Sequence, residues 1–97
     1  MRLIDFFEMD DVRDRVILLI RQAGPKKLSE IGGKNHDRWK NISRGIIRPG
    51  TEEIGILARL FPEYALWLVT GQIQPENGHR SPDYDEANRN LLSQKEG

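Results

Sequence analysis

Cationic and hydrogen-bonding side chains are concentrated in residues 26–48 of this chain, which read KKLSEIGGKNHDRWKNISRGIIR. This stretch holds seven lysines and arginines against two acidic residues, so it carries +5 in a chain whose formal net charge is zero. Cationic side chains at this density bind phosphate groups, while asparagine, histidine, lysine and aspartate form hydrogen bonds with the edges of nucleic-acid bases. The composition of the segment therefore favours binding to a polyanion.

The spacing of apolar residues within this stretch indicates two short helices. Leu28 and Ile31 lie three residues apart, as on one face of a helix, and Trp39 and Ile42 repeat that spacing. The glycine pair at 32–33 interrupts the pattern between them, and Asn35 can cap the second helix. Two short helices joined by a glycine-containing turn predict a helix-turn-helix, whose second helix enters the major groove of DNA.

Other helices are needed to hold this unit in place. A first helix, beginning near Asp10 and ending before the Gly24-Pro25 pair, is indicated by apolar residues at helical spacing. These residues are Val12, Val16, Leu19, Ile20 and Ala23. The helix-turn-helix itself is expected to span a helix from Lys26 to Gly32 and one from His36 to Arg44.

Two further helices are predicted after residue 50. Thr51 is expected to cap a helix that ends near Leu60, and Pro62 to open a last one that ends at Thr70-Gly71. Its expected core contacts are Ala65, Leu66, Leu68 and Val69. No segment reads as a strand, so the predicted fold class is all-α with five helices.

Composition divides the chain at residue 71. Residues 1–71 are predicted to form one domain, because 97 residues leave no room for a second core. Residues 72–97 are predicted to be a polar, loosely held C-terminal arm with one short helix at most, from about Tyr84 to Leu92. The apolar residues in 1–8 are assigned either to the start of the first helix or to an arm that packs on a partner subunit.

Several classes of protein are disfavoured. The chain has no cysteine, which excludes disulfide scaffolds and thiolate metal sites, and its longest apolar runs are too short to span a bilayer. No secretion signal is visible at the amino terminus, so a cytoplasmic location is expected. The two histidines, His36 and His79, lie in different segments without a catalytic spacing. No enzymatic activity, cofactor or metal is expected.

Four motifs in order resemble the lambda-repressor-like, or Cro/repressor, family of helix-turn-helix DNA-binding domains. LSEIGG at 28–33 looks like the second helix of that family, with Ser29 as the small residue where the helices cross. WKNISRG at 39–45 looks like the end of its recognition helix. RPGTEEIGILARLF at 48–61 and WLVTG at 67–71 resemble its fourth and fifth helices. Lys34 departs from the pattern, since the family usually has an apolar residue just after the turn glycine.

The resemblance implies which residues meet base edges. His36 and Asp37 fall at the first two positions of the recognition helix, and Lys40 and Asn41 follow one turn later. Asparagine pairs with adenine, lysine and histidine donate to guanine, and aspartate accepts from cytosine. An equal alternative for Asp37 is that it caps the helix. Trp39 is expected in the core with Ile42, with base stacking on the surface as its alternative.

Phosphate contacts are assigned to six cationic residues of the stretch and one asparagine, because the charge and reach of such side chains match the DNA backbone. They are Lys26, Lys27, Lys34, Asn35, Arg38, Arg44 and Arg48. With five helices and these contacts, the sequence predicts a DNA-binding transcriptional regulator, a phage- or prophage-type repressor that reads a two-fold operator as a homodimer. The alternatives are an antitoxin-like autoregulator that binds a toxin, and a helical adaptor that binds proteins without DNA.

Overall fold

Six α-helices make up the part of the chain that the computed structural model describes, residues 11–96, with side chains through residue 92. They are α1 (Val12–Ala23), α2 (Pro25–Gly32), α3 (His36–Ser43), α4 (Thr51–Leu60), α5 (Ala65–Thr70) and α6 (Pro82–Glu96). Short 3₁₀ turns at Pro62–Tyr64 and Pro75–Asn77 precede α5 and α6. No strand occurs within residues 11–96, so the predicted all-α fold class is confirmed. The predictions for residues 1–8 lie outside the described residues.

The first five helices enclose one hydrophobic core. Its fully or nearly buried members are Val16, Leu19, Ile20, Leu28, Trp39, Ile42, Ile56, Leu57, Trp67 and Leu68. Three of them come from α1, which packs against α2, α3, α4 and α5. The apolar spacing of α1 thus buries one face of that helix as predicted, and α1 is the support on which the helix-turn-helix rests.

Gly32 allows α2 to approach α4 closely. A Cβ atom at this position would lie 3.0 Å from a methyl carbon of Ile56 and 3.5 Å from the ring of Trp39. The next residue, Gly33, ends α2 with a φ of 78°, a left-handed conformation that favours glycine. Close packing therefore favours glycine at residue 32, and the left-handed backbone conformation favours glycine at residue 33.

Arg15 joins the two ends of the five-helix unit. Its side chain is buried beside the core, and its Nε donates to the carbonyl oxygen of Leu68 at 3.0 Å. One of its Nη atoms donates to the carbonyl oxygen of Val69 at 3.4 Å. These carbonyls lie in the last turn of α5, where backbone acceptors lack helical partners, so Arg15 caps α5 from α1.

Three local predictions were wrong. Ile31 and Val69, expected on apolar faces, are 55% and 54% exposed. Thr51 is the first residue of α4 rather than its cap, and the capping position belongs to Gly50. The backbone N–H of Gly50 donates to the carboxylate of Glu53 at 2.7 Å, so a side chain inside the helix closes the turn that Thr51 was expected to close.

The start of the C-terminal segment is fixed to the five-helix unit rather than loosely held. Arg80 donates through its backbone N–H to the carbonyl oxygen of Glu63 at 2.8 Å. The carboxylate of Asp85 accepts from the Tyr64 hydroxyl at 2.6 Å and from Nε of Arg80 at 2.8 Å. Ser81 caps α6, which is longer than the helix predicted from Tyr84 to Leu92.

Candidate nucleic-acid interface

The second helix of the predicted helix-turn-helix, α3, is oriented by its buried side. Trp39 and Ile42 have no exposed surface, which confirms their expected place in the core. Asn35 begins the helix as predicted, since its Oδ1 accepts from the backbone N–H of Asp37 at 2.6 Å. Asp37 is thus not the cap, and its carboxylate stays on the exposed first turn of α3.

Four polar residues occupy the side of α3 opposite the core. At about 100° per residue, Asp37, Lys40, Asn41 and Arg44 fall within an arc of about 100° centred opposite Trp39 and Ile42. Asp37 and Arg44 are exposed, while Lys40 and Asn41 are half-buried. Of the four predicted base contacts, only His36 lies outside this arc, at its margin and exposed. We refer to Asp37, Lys40, Asn41 and Arg44 as the outer face of α3.

The loop after α3 is held against the end of the helix. The backbone N–H of Ile46 donates to the carbonyl oxygen of Asn41 at 3.0 Å, and Arg21 of α1 donates to the carbonyl oxygen of Ser43 at 2.9 Å. Both bonds use carbonyls of the last turn of α3, which have no helical partner. Arg44 and Arg48, two predicted phosphate contacts, are thereby presented to solvent from a fixed backbone.

Arg13 adds a cation that was not predicted from the sequence. Its guanidinium lies beside Gly45, where an added Cβ would be 3.4 Å from one of its nitrogens. Arg13 also lines a surface depression together with Arg48. No sequence pattern points to Arg13, because it lies outside the basic stretch and on the exposed side of α1. Three arginines, Arg13, Arg44 and Arg48, therefore surround the end of α3, and we call them the arginine cluster.

Two other predicted phosphate contacts face carboxylates of α4. Nε and one Nη of Arg38 donate to the two oxygens of Glu53, at 2.7 Å and 3.1 Å. Lys34 pairs with Glu52 at the surface. Lys34, which departs from the family pattern, is thus held beside an acidic residue of α4. Both pairs reduce the positive charge that these residues present to an outside anion.

Among the described residues of this interface, Arg38 and Glu53 are the charged residues whose pKa values are shifted. Hydrogen bonding from Arg38 lowers the pKa of Glu53 to about 2, against the opposing effect of burial, and the Gly50 N–H lowers it further. The pKa of Arg38 is raised by the same hydrogen bond. Because Glu53 is 1% exposed and belongs to α4, the pair fixes α3 at a defined angle to α4. Sequence reasoning missed it, although a glutamate three residues after Gly50 has the spacing of a capping box.

The remaining predicted contacts lie at the other end of the unit. Lys26 and Lys27 are exposed in the first turn of α2. Asn35 is exposed, but its oxygen caps α3, which leaves only its amide nitrogen for another acceptor. The structure thus separates the predicted phosphate contacts into the first turn of α2, the pairs with α4, and the arginine cluster.

Among the side chains that the structure describes, residues 11–92, no group of three or more His, Asp or Glu is arranged to hold a metal ion. None of the described helices is long and apolar enough to cross a membrane.

Comparison with solved structures identifies a relative of this chain. No protein-family model matches the chain, and no curated protein matches it. Among solved structures, it is similar to Pf6r from the filamentous phage Pf6 of Pseudomonas aeruginosa PA01, with 43% sequence identity and a TM-score of 0.80. The match covers 84% of this chain and 98% of Pf6r. At this identity and coverage the likeness extends beyond the fold, and the chain belongs to the same family as the phage protein Pf6r.

Proposed function

We propose that this protein is a sequence-specific DNA-binding transcriptional regulator, a phage-type repressor that reads a two-fold operator as a homodimer. The observation that carries the proposal is the outer face of α3. It presents hydrogen-bonding side chains on a helix whose opposite side is buried, and the arginine cluster stands at its end. Membership in the family of a filamentous-phage protein supports the assignment to phage regulation.

The outer face is suited to reading base edges. Asn41 offers both an acceptor and donors to an adenine, Lys40 donates to guanine, and Asp37 accepts from cytosine. His36, at the margin, is assigned to a base at the edge of the site. Recognition of this kind needs side chains on a rigid backbone, which the Asn35 cap and the Arg38–Glu53 pair provide.

Phosphate contacts are assigned to two sets of residues, those that are exposed and those that already have a partner within the chain. Lys26, Lys27, Arg44 and Arg48 are exposed, and Arg13 joins them as part of the arginine cluster. Lys34, Asn35 and Arg38 are assigned weaker contacts, through the N–H groups that their partners within the chain leave open. Such contacts set the position of the protein on the duplex, and they make its affinity depend on salt.

Dimer formation follows from the small size of the reading surface. One α3 contacts only a few base pairs, and two copies related by a two-fold axis read two half-sites about 34 Å apart. The proposed operator is therefore an inverted repeat.

Selection of bound sites from a random pool of duplex DNA tests the proposal. We expect the wild-type protein to enrich an inverted repeat, with half-sites separated by about one helical turn. Binding to the enriched duplex should fall steeply as the salt concentration rises. A protein-binding adaptor of this fold would enrich no sequence and show no salt-dependent affinity for duplex DNA, and either result would overturn the proposal.

A further inference from the structure

Two adjacent carboxylates at the start of α4 lie beside the helix-turn-helix, and they differ in exposure. Glu53 is buried and binds Arg38 through two hydrogen bonds. Glu52 pairs with Lys34, and its side chain is 74% exposed. An exposed ion pair of this kind contributes little to stability, because solvent screens it. The fold therefore needs Glu53 for the angle between α3 and α4, whereas it gains little from Glu52.

The Lys34–Glu52 pair lies next to the end of α3 that the proposed function places in the major groove. Lys34 directly precedes Asn35, which caps α3. Both members of the pair line one surface depression with Arg38, a residue of the first turn of α3. In a helix-turn-helix bound to DNA the first residues of the second helix contact base edges, so the residues beside that turn lie near the phosphates at the rim of the groove.

We infer that Glu52 limits the affinity of this protein for DNA, by repelling phosphates and by competing with them for the ammonium group of Lys34. The role of Glu52 rests on the proposed function, which places the turn before α3 against the DNA backbone. Duplex DNA carries one negative charge per about 1.7 Å of its axis. Several phosphates therefore repel a carboxylate at this position at once, and Lys34 is shared between them and Glu52.

The effect of Glu52 is independent of DNA sequence, because it acts on the backbone and not on base edges. Binding to random DNA and binding to the operator are weakened by the same factor. The protein thus keeps its sequence preference while it is released more easily from any duplex.

The alternative role for Glu52 is confined to α4. An acidic residue in the first turn of a helix interacts favourably with the helix dipole. In that role, Glu52→Gln would lower stability slightly and leave the affinity for DNA unchanged. The two roles therefore predict different results for one substitution that keeps the size of the side chain.

Titration of Glu52→Gln with the selected duplex and with random DNA tests the inference. At low salt we expect affinity for both duplexes to rise by about three- to fivefold, since the variant removes the repulsion and frees Lys34. The affinities of variant and wild type should converge as salt screens the charges. A gain that persists at high salt, or a gain on only one kind of DNA, would overturn the inference.

Glu86→Gln is the matched control for the change in net charge. Glu86 is exposed on α6, which does not pack against α3 or α4 in the described part of the chain. Both variants raise the net charge of the chain from zero to +1. We expect Glu86→Gln to bind DNA nearly as the wild type does. Equal gains from the two variants would show that Glu52 acts only through net charge, which would overturn the inference.

The part played by Lys34 is tested by repeating the comparison in a Lys34→Ala background. There Glu52→Gln should raise affinity by a smaller factor than in the wild type, because only the direct repulsion is removed. Urea denaturation without DNA checks that all variants stay folded. The same gain in both backgrounds would overturn the claim that Glu52 competes with phosphate for Lys34.

Failure of this inference is distinguishable from failure of the proposed function. Elution from heparin, a polyanion without bases, reports on the charge near Lys34 whether or not the protein reads DNA. Later elution of Glu52→Gln than of Glu86→Gln, in a protein that selects no duplex, would support the charge effect of Glu52 and reject DNA recognition. A wild type that selects an operator, with Glu52→Gln of equal affinity, would reject the inference and leave the proposed function intact.

Discussion

The helices α3 and α6 expose opposite kinds of surface. In α3 the apolar side chains Trp39 and Ile42 are fully buried, and the side left open is polar. Among the residues of α6 whose side chains are described, those of the first turns are attached to the domain, and Leu91 and Leu92 are exposed. An open polar face on a firmly packed helix suits recognition of a hydrated polyanion, whereas an open apolar face suits burial against protein. Five kinds of measurement test this difference.

The largest expected difference concerns stability. Trp39→Ala should lower the free energy of unfolding by about 3–5 kcal/mol, because it opens a cavity in the core. The matched change in α6, Leu91→Ala, should alter it by about 0.5 kcal/mol or less, since that side chain is more than half exposed. Urea denaturation of dilute protein measures both. Similar losses from the two variants would mean that Leu91 belongs to the core of the monomer.

Trp39→Phe refines that comparison. The indole N–H of Trp39 is buried and has no hydrogen-bond partner among the described residues. Phenylalanine removes this donor while keeping most of the ring volume, so its cost should be well below that of alanine.

The pH dependence of stability tests the attachment of α3. Because Arg38 lowers the pKa of Glu53 to about 2, the ion pair stabilises the fold fully above about pH 4.3, where the unfolded carboxyl is ionised. This stabilisation is lost as the pH falls from there towards 2. We expect the wild type to lose about 2 kcal/mol more than Glu53→Gln over that range. Glu52→Gln, at the exposed pair with Lys34, should behave like the wild type.

The outer face of α3 is tested by Asn41→Ala. The substitution removes a base contact but keeps the backbone carbonyl that holds Ile46, so the loop should stay in place. Affinity for the selected duplex should fall by about 1–3 kcal/mol, and affinity for random DNA much less. His36→Ala is expected to show the same pattern with a smaller loss. An equal loss on both kinds of DNA would reassign these residues to the phosphate backbone.

The base of α6 is tested by Tyr64→Phe, which removes a single hydroxyl. Burial and the bond to Asp85 raise the pKa of Tyr64 to about 12, so the hydroxyl stays protonated as a donor at neutral pH. Its loss should cost about 1 kcal/mol and increase hydrogen exchange in the first turns of α6. Exchange in α3 should not change. Unaltered exchange in α6 would show that other contacts hold its base.

Contacts within a helix were predicted from the sequence better than contacts between helices. The buried face of α3 and its Asn35 cap were predicted, because both depend on residues within one or two turns. Two contacts were missed because their partners are far apart in the sequence. Arg38 and Glu53 are separated by 15 positions, and Arg15 and the Leu68 carbonyl that it caps are separated by 53 positions. Sequence spacing does not show which helices will cross at those points.

Local rules also failed where a tertiary contact was decisive. Leu28 is buried and Ile31 is exposed although both fit one apolar spacing, because the short α2 contacts its neighbours along a narrow face. The polar composition of residues 72–97 predicted a loosely held arm, but hydrogen bonds of Arg80 and Tyr64 fix that segment at Arg80 and Asp85. The roles of the predicted contact residues toward DNA stay predictions.

The central claim, that the surface around α3 binds DNA phosphates, is tested most directly by the salt dependence of binding. The wild type, Arg48→Ala and the control Arg59→Ala are each titrated with the selected duplex at several salt concentrations. Arg59 is an exposed arginine in the last turn of α4, outside the arginine cluster. We predict that Arg48→Ala lowers the slope of log affinity against log salt by about 0.9 in magnitude, as loss of one phosphate contact does. Arg59→Ala should keep the wild-type slope. Identical slopes for all three proteins would contradict the claim.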